Sequence, residues 1–272
     1  MGQHRTAWHL LAATFLDEYR PRDVQLETEV QLSKRPQHVD MLLLRKGKGS
    51  VDDARAFFRM WHLMGPVALV EYKSRSRPAR PGVFHQLFGY AHQYARSRQP
   101  EQPASQLSLF LLVPTVTPTI VNDAALLGLE LGRSEDAYIP VMGALFPTWV
   151  VPLNTLAEQE DEPLIGELGS RTVDSEDRAS LRWLAHFYMA NENRVQNLEG
   201  FEELKADFMK SESFREMVAG MSAEQIAQTL TPEQRYAVLL AMSDEELCEL
   251  PNSFVEALPE SIRAEIRRRL AH

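Results

Sequence analysis

A single cysteine, Cys248, stands in 272 residues. One thiol cannot form an internal disulfide, and no Cys or His spacing around it suggests zinc, which fits a reducing compartment. Long apolar runs are equally scarce. The longest, such as Phe110 to Val113 and Val39 with Met41 to Leu44 around one Asp, fall far short of the ~18 residues of a membrane span. No membrane partner is therefore expected. The opening Met1-Gly2-Gln3-His4-Arg5 lacks the apolar core of a secretory signal, so cytoplasm is the expected location, and the Met-Gly-x-x-x-Thr start matches an acylation signal in form only. There is no Gly-rich phosphate loop, no Gly-x-Ser-x-Gly elbow and no Rossmann fingerprint. What remains, 44% hydrophobic and 25% charged residues, is the make-up of an ordinary globular chain with one large or two smaller domains.

Positive charge is also in short supply, with a net −9, but unevenly. Residues 1–100 carry 16 Lys and Arg against 9 Asp and Glu, or +7, which leaves −16 for residues 101–272. Such a division suits a chain of which one part meets a polyanion, although basic and acidic faces that neutralise each other in one fold give the same count.

Hydrophobic spacing sets the expected order of elements. Trp8, Leu11, Ala12, Phe15, Leu16 and Tyr19 recur at helical intervals over Thr6 to Tyr19, and Pro21 ends that helix. From Val24 to Leu32 the period becomes two, with Glu27 and Glu29 on the polar face. His38 to Arg45 and Val67 to Lys73 are apolar on both faces except for Asp40, Glu71 and Lys73, so they read as interior strands that carry charge. Val51 to Leu63 reads as a helical excursion and Gly82 to Arg96 as an amphipathic helix. A strand follows at Leu107 to Val113, a helix around Val121 to Leu131 and a last strand at Trp149 to Leu153. The order is that of an α/β sandwich. Beyond residues 158–173 everything reads as helix, with capping boxes at Ser222, Thr231, Ser243 and Ser253 and a core cluster of Trp183, Leu184, Phe187 and Tyr188. The expected domains are 1–165 and a helical domain, 166–272, for assembly or partner binding.

The chemistry sits on the charged strands. Positions i and i+2 of a strand project from one face, so Glu71 and Lys73 point the same way, and Asp40 lies on a strand that can sit beside them. Converging carboxylates hold Mg²⁺ or Mn²⁺, and a neighbouring ammonium can orient or help deprotonate a water and neutralise charge developing on a phosphate. That is a plan for phosphodiester hydrolysis. An inert ion pair at a strand end is the alternative, but charges on buried strands are costly to keep for no purpose. Arg75, Arg77 and Arg80, with Arg96 and Arg98, would form either a basic rim for phosphates or a solvated loop without further role. His38, His62, His85 and His92 show no zinc-like pairing.

Glu29, Asp40 after Arg35-Pro36, Glu71-x-Lys73 closing an apolar strand, and the helix Gln86-x-x-x-Tyr90 resemble the PD-(D/E)XK nuclease superfamily, closest to its transposase-associated and RecB-like branches, over residues 5–153. The resemblance implies a three-layer α/β/α sandwich with a central mixed sheet, restriction-endonuclease-like, followed by a C-terminal all-α region. It implies that Asp40 and Glu71 bind the divalent metal, that the Tyr72 carbonyl completes the shell and that Lys73 assists the attacking water. Gln86 and Tyr90 would support the site and contact nucleic acid, DNA rather than RNA, in a setting of mobile elements or defence. For the first acid Glu29 leads, Glu27 is second, and Glu18 and His9 stand outside. The competing reading is a catalytically silent nuclease-fold scaffold that works through its acidic helical C-terminal half; homo-oligomers or a protein partner are open to either.

Overall fold

The computed structural model describes residues 6–31, 38–47, 54–98, 103–133, 136–170 and 198–200, with single positions and pairs elsewhere between 177 and 268. The first helix, α1, is Ala7–Tyr19, and its N-cap Thr6 accepts a hydrogen bond from the His9 N–H. Trp8, Leu10, Leu11, Ala12, Ala13, Phe15 and Leu16 are all buried, so this helix is embedded rather than laid on a surface. Strands β1 (Val24–Gln31) and β2 (His38–Arg45) pair antiparallel, Val24 opposite Arg45. After the short α2 (Phe58–Leu63), β3 (Val67–Tyr72) adds antiparallel to β2, with Met41 opposite Val70.

Helix α3 (Val83–Arg98) then crosses to β4 (Leu107–Val113), which runs parallel to β3. Helix α4 (Pro118–Leu126), β5 (Glu130–Leu131), β6 (Ile139–Met142) and β7 (Thr148–Pro152) complete a seven-stranded mixed sheet of order β1-β2-β3-β4-β7-β6-β5. Helices α5 (Leu153–Glu160) and α6 (Pro163–Gly169) follow directly. The protein is thus mixed α/β. Among the described residues no helix is long and apolar enough to cross a membrane.

Every residue of β3 and β4 is buried, as their unbroken apolar runs require of interior strands. Val67, Leu69, Leu109 and Leu111 pack with Phe84, Leu87, Ala91 and Tyr94 of α3 and with Ile120 and Ala124 of α4 in one apolar cluster. The turn into β3 needs glycine. A Cβ on Gly65 would lie 2.6 Å from the Gln106 carbonyl oxygen, and the Gly65 N–H donates to Ser108 Oγ at 2.8 Å.

Three elements differ from the hydrophobic pattern. The helix expected around Val121 to Leu131 begins earlier, with Pro118 in its first turn, and ends at Leu126, because Gly128 takes φ +69° and turns the chain into β5. Strands β5 and β6 are unforeseen; two and four residues, one of them Pro140, are too few to show a period of two. Of the excursion Val51 to Leu63 only Phe58–Leu63 is helical: Phe57 has φ +54°, and residues 51–53 lie outside the described residues. The four C-terminal capping boxes and Tyr188 also lie outside them.

The chain divides into two compact units, Met1–Val173 with Asn191–Leu204, and Asp174–Ala190 with Lys205–His272. In the second, Trp183 and Phe187 stack with ring centroids 5.8 Å apart, and Leu184 and Phe187 are buried.

Helix α2 is tied down from a distance. Glu160 accepts from the Phe57 N–H at 2.6 Å and the Phe58 N–H at 2.9 Å, a carboxylate at the N-terminus of α2. Burial, opposed by those two amides, pushes its carboxyl up from the ordinary 4.5 to about 7. A carboxyl that holds its proton more tightly in the native state stabilises the fold below its ordinary value, and that contribution is lost as pH rises through about 7. The thermal midpoint of the wild type, measured against Glu160→Gln, should therefore fall as pH is raised from 4.5 to about 7. A constant difference across that window would disprove the assignment.

Candidate active site

Antiparallel pairing of Met41 with Val70 carries Asp40, one residue back on β2, to the level of Glu71, near the C-terminal end of β3. Asp40 Oδ2 accepts from the Tyr72 backbone N–H at 2.8 Å, so strand backbone fixes the orientation of this carboxylate. Glu71 is only 1% exposed. Its Oε1 receives Lys73 Nζ at 2.5 Å and Gln86 Nε2 at 3.0 Å, while Oε2 is buried with no hydrogen-bond partner among the described residues. Burial drives the Glu71 carboxyl upward from its ordinary value and the negative charge of Asp40 adds to this, with the Lys73 ammonium opposing both.

A fourth ionisable group reaches the site from α1. His9 Nε2 lies 3.5 Å from Asp40 Oδ2, and Nδ1 lies 2.6 Å from Thr6 Oγ1, the helix cap. Burial alone would lower the His9 pKa, but hydrogen bonding to Asp40 and the charges of Asp40 and Glu71 outweigh it and raise the pKa. The ring meets Tyr72 edge-on, centroids 5.3 Å apart. Tyr72 in turn donates its hydroxyl to the Leu168 carbonyl at 2.6 Å, and burial keeps that phenol neutral by pushing its pKa far up. Sequence reasoning set His9 aside. The signal was there: between Thr6 and Leu16 it is the one ionisable side chain of a helix buried nearly all round.

Gln86 is held as well. Its Nε2 lies 2.6 Å from Tyr90 Oη, one helical turn on, so Tyr90 backs Gln86 and Gln86 backs Glu71. The α3 N-terminus is capped by buried Asp123, which accepts from the Gly82 N–H at 2.5 Å and the Phe84 N–H at 3.0 Å.

The remaining expected residues are scattered more widely. The pairings Thr28↔Met41 and Val30↔Val39 set the Glu29 backbone beside Asp40, but its side chain lies outside the described residues. Glu27 pairs with Leu42 in register and accepts from Gln25 Nε2 at 3.1 Å; Glu18 is exposed on the last turn of α1, about 13 Å along the helix from His9. Arg80 and Arg96 are exposed, and the Arg98 side chain lies outside the described residues. Arg75 stacks over the Trp8 ring at 4.3 Å and lies 3.7 Å from Glu167, whereas Arg77 pairs with Glu199. The basic rim is thus partly engaged by carboxylates of the chain itself, Glu167 and Glu199, which no local pattern linked to it.

Compared with protein-family models, with curated proteins and with solved structures, the chain matches none.

The donor set suits a hard divalent cation. Asp40 and Glu71 offer carboxylate oxygens on adjacent strands, and the buried Oε2 of Glu71, without a hydrogen-bond partner among the described residues, is an acceptor that a cation would satisfy. Among the described residues no group of three or more His, Cys, Asp or Glu is gathered closely enough to hold a metal as it stands. Any additional ligands would come from the Tyr72 carbonyl, Glu29 or water. Mg²⁺ or Mn²⁺ at ten times its dissociation constant should stabilise the wild type by about 1.4 kcal/mol, a rise of roughly 3–5 °C in Tm for a chain of this size. Asp40→Asn, which keeps an acceptor for the Tyr72 N–H, should lose the rise; an equal rise in both proteins would move the cation elsewhere.

Proposed function

We propose that the first unit is a metal-dependent nuclease of the PD-(D/E)XK kind that hydrolyses phosphodiester bonds of nucleic acid, DNA in preference to RNA. The observation that carries the reading is the meeting of Asp40, Glu71 and Lys73 at one end of interior strands, with His9 and Gln86 turned onto the two carboxylates. The reading includes a three-layer restriction-endonuclease-like arrangement, a C-terminal all-α region for assembly or partner binding, a cytoplasmic setting and a role connected with mobile elements or defence.

Mg²⁺ or Mn²⁺ would be held by Asp40 and Glu71, and when bound it supplies positive charge for the scissile phosphate and acidifies a water. The chain's own residues do the rest. Tyr72 N–H keeps Asp40 in one orientation. Gln86, backed by Tyr90, holds the Glu71 carboxyl and leaves Oε2 as the oxygen that would ligate a cation. Lys73, 14% exposed and anchored on Glu71 Oε1, is placed to orient the attacking water and to offset charge that grows on the phosphate. His9 Nε2 faces Asp40, whose hydrogen bond and charge outweigh burial and raise the His9 pKa.

The second reading is a catalytically silent scaffold that acts through its acidic C-terminal half, favoured by the closed Lys73–Glu71 pair at 2.5 Å. Incubation of plasmid, linear duplex, single-stranded DNA and RNA with Mg²⁺ or Mn²⁺ separates the two. Cleavage should require the cation, stop with EDTA and fall by about 10²–10⁴-fold in folded Lys73→Ala. Undiminished cleavage in that variant would remove Lys73 from the mechanism, and no cleavage of any substrate by folded wild type would favour the scaffold.

A further inference from the structure

The polypeptide comes back to α1 long after leaving it. Thr6 and Glu199 form a parallel bridge, and the Ala7 N–H donates to the Glu199 carbonyl at 2.9 Å. Gly200 follows with φ +82°, and its Cα sits so close to the Trp8 indole that an added Cβ would lie 2.6 Å from Trp8 Cδ1. The Glu199 side chain pairs with Arg77 Nη2. Residues 198–200 therefore lie against both the first turn of α1, which carries His9, and the loop that follows Lys73.

That loop is built to present Arg77. The buried Ser74 Oγ accepts from the Arg77 N–H at 3.1 Å and lies 3.1 Å from Ser76 Oγ, and the Arg77 N–H also reaches the Ser74 carbonyl at 3.1 Å. A guanidinium held four residues beyond Lys73, in the loop that leaves the candidate site, suits a backbone phosphate. What it meets in this chain is a carboxylate. Glu199 is 51% exposed and Arg77 30%, so solvent screens the pair and a polyanion can compete for it.

We propose that residues 198–200 are an inhibitory strap: the Glu199 carboxylate stands on Arg77 where a nucleic-acid phosphate binds, and nucleic acid must displace it to enter. This rests on the nuclease reading and names its regulation. The strap has two separable parts. Glu199 supplies the competing charge, and Gly200 lets the backbone lie flat on Trp8, which no side chain at that φ and that distance permits.

Binding of labelled single-stranded and duplex oligonucleotides to the full chain, followed by fluorescence anisotropy with EDTA present to prevent cleavage, tests it. Glu199→Gln should bind several-fold tighter than wild type at low salt, with a log K against log salt slope steeper by about 0.7–0.9, one more phosphate contact. Gly200→Ala, which alters no charge, should gain affinity in the same direction. Both gains should vanish in an Arg77→Ala background, whereas a general relief of negative charge would persist there. Wild-type affinity in Glu199→Gln, or a gain that survives Arg77→Ala, would overturn the strap while leaving the nuclease reading intact if Arg77→Ala itself binds more weakly than wild type. No binding by any variant to any oligonucleotide would overturn both.

Discussion

A carboxylate 1% exposed at the end of an interior strand is expensive to ionise, and much of the first unit is arranged around Glu71. Among the described residues, its neighbours supply two donors to one oxygen and none to the other. Lys73 comes from the same strand end at i+2, Gln86 from the helix that crosses to β4, and Asp40 from the adjoining strand. Each depends on a further tie: Tyr90 behind Gln86, Asp123 at the head of α3, the Tyr72 N–H on Asp40. The sheet register is what makes these meet. A slip of one residue between β2 and β3 would turn Asp40 to the opposite face and take it away from Glu71.

The central strands and α3 were legible in the sequence because their signals are long and local. Val67 to Tyr72 is an apolar run interrupted only by Glu71, and Leu107 to Val113 is apolar but for Ser108, so burial on both faces follows from composition. Asp40, Glu71 and Lys73 stood out for the same reason, charge where charge is costly. His9 did not, because a single histidine on a helix is common and only the third dimension shows that its Nε2 faces Asp40. The partners of Arg75 and Arg77 were beyond reach as well: Glu167 and Glu199 are separated from them by about 90 and 120 residues of chain, and no periodicity spans that distance. Strands β5 and β6 escaped because each is held by pairing with its neighbour rather than by a pattern of its own.

The charge division acquires a local meaning. Among the described residues, three arginines of the first hundred positions stand beside carboxylates of the chain itself: Arg45 lies 3.7 Å from Asp23, Arg75 faces Glu167, and Arg77 holds Glu199. Two of these three acids come from beyond residue 100, so acidic residues of the later sequence settle on basic ones of the earlier sequence within one compact unit. Net positive potential near the candidate site is then smaller than the count of +7 suggests, and it depends on where a few carboxylates rest.

The return of residues 198–200 to α1 bears on how the chain comes apart. Because the first unit takes in both Met1–Val173 and Asn191–Leu204, its sequence is discontinuous, and no single scission separates it whole from the rest. A fragment that stops at Val173 keeps the sheet but strips the Ala7 N–H of its carbonyl and uncovers the Trp8 indole, at the first turn of the helix that brings His9 to Asp40. The order of synthesis imposes the same constraint: α1 leaves the ribosome some 190 residues before the segment that finishes its N-terminus, so the first turn of that helix must wait for its last partner.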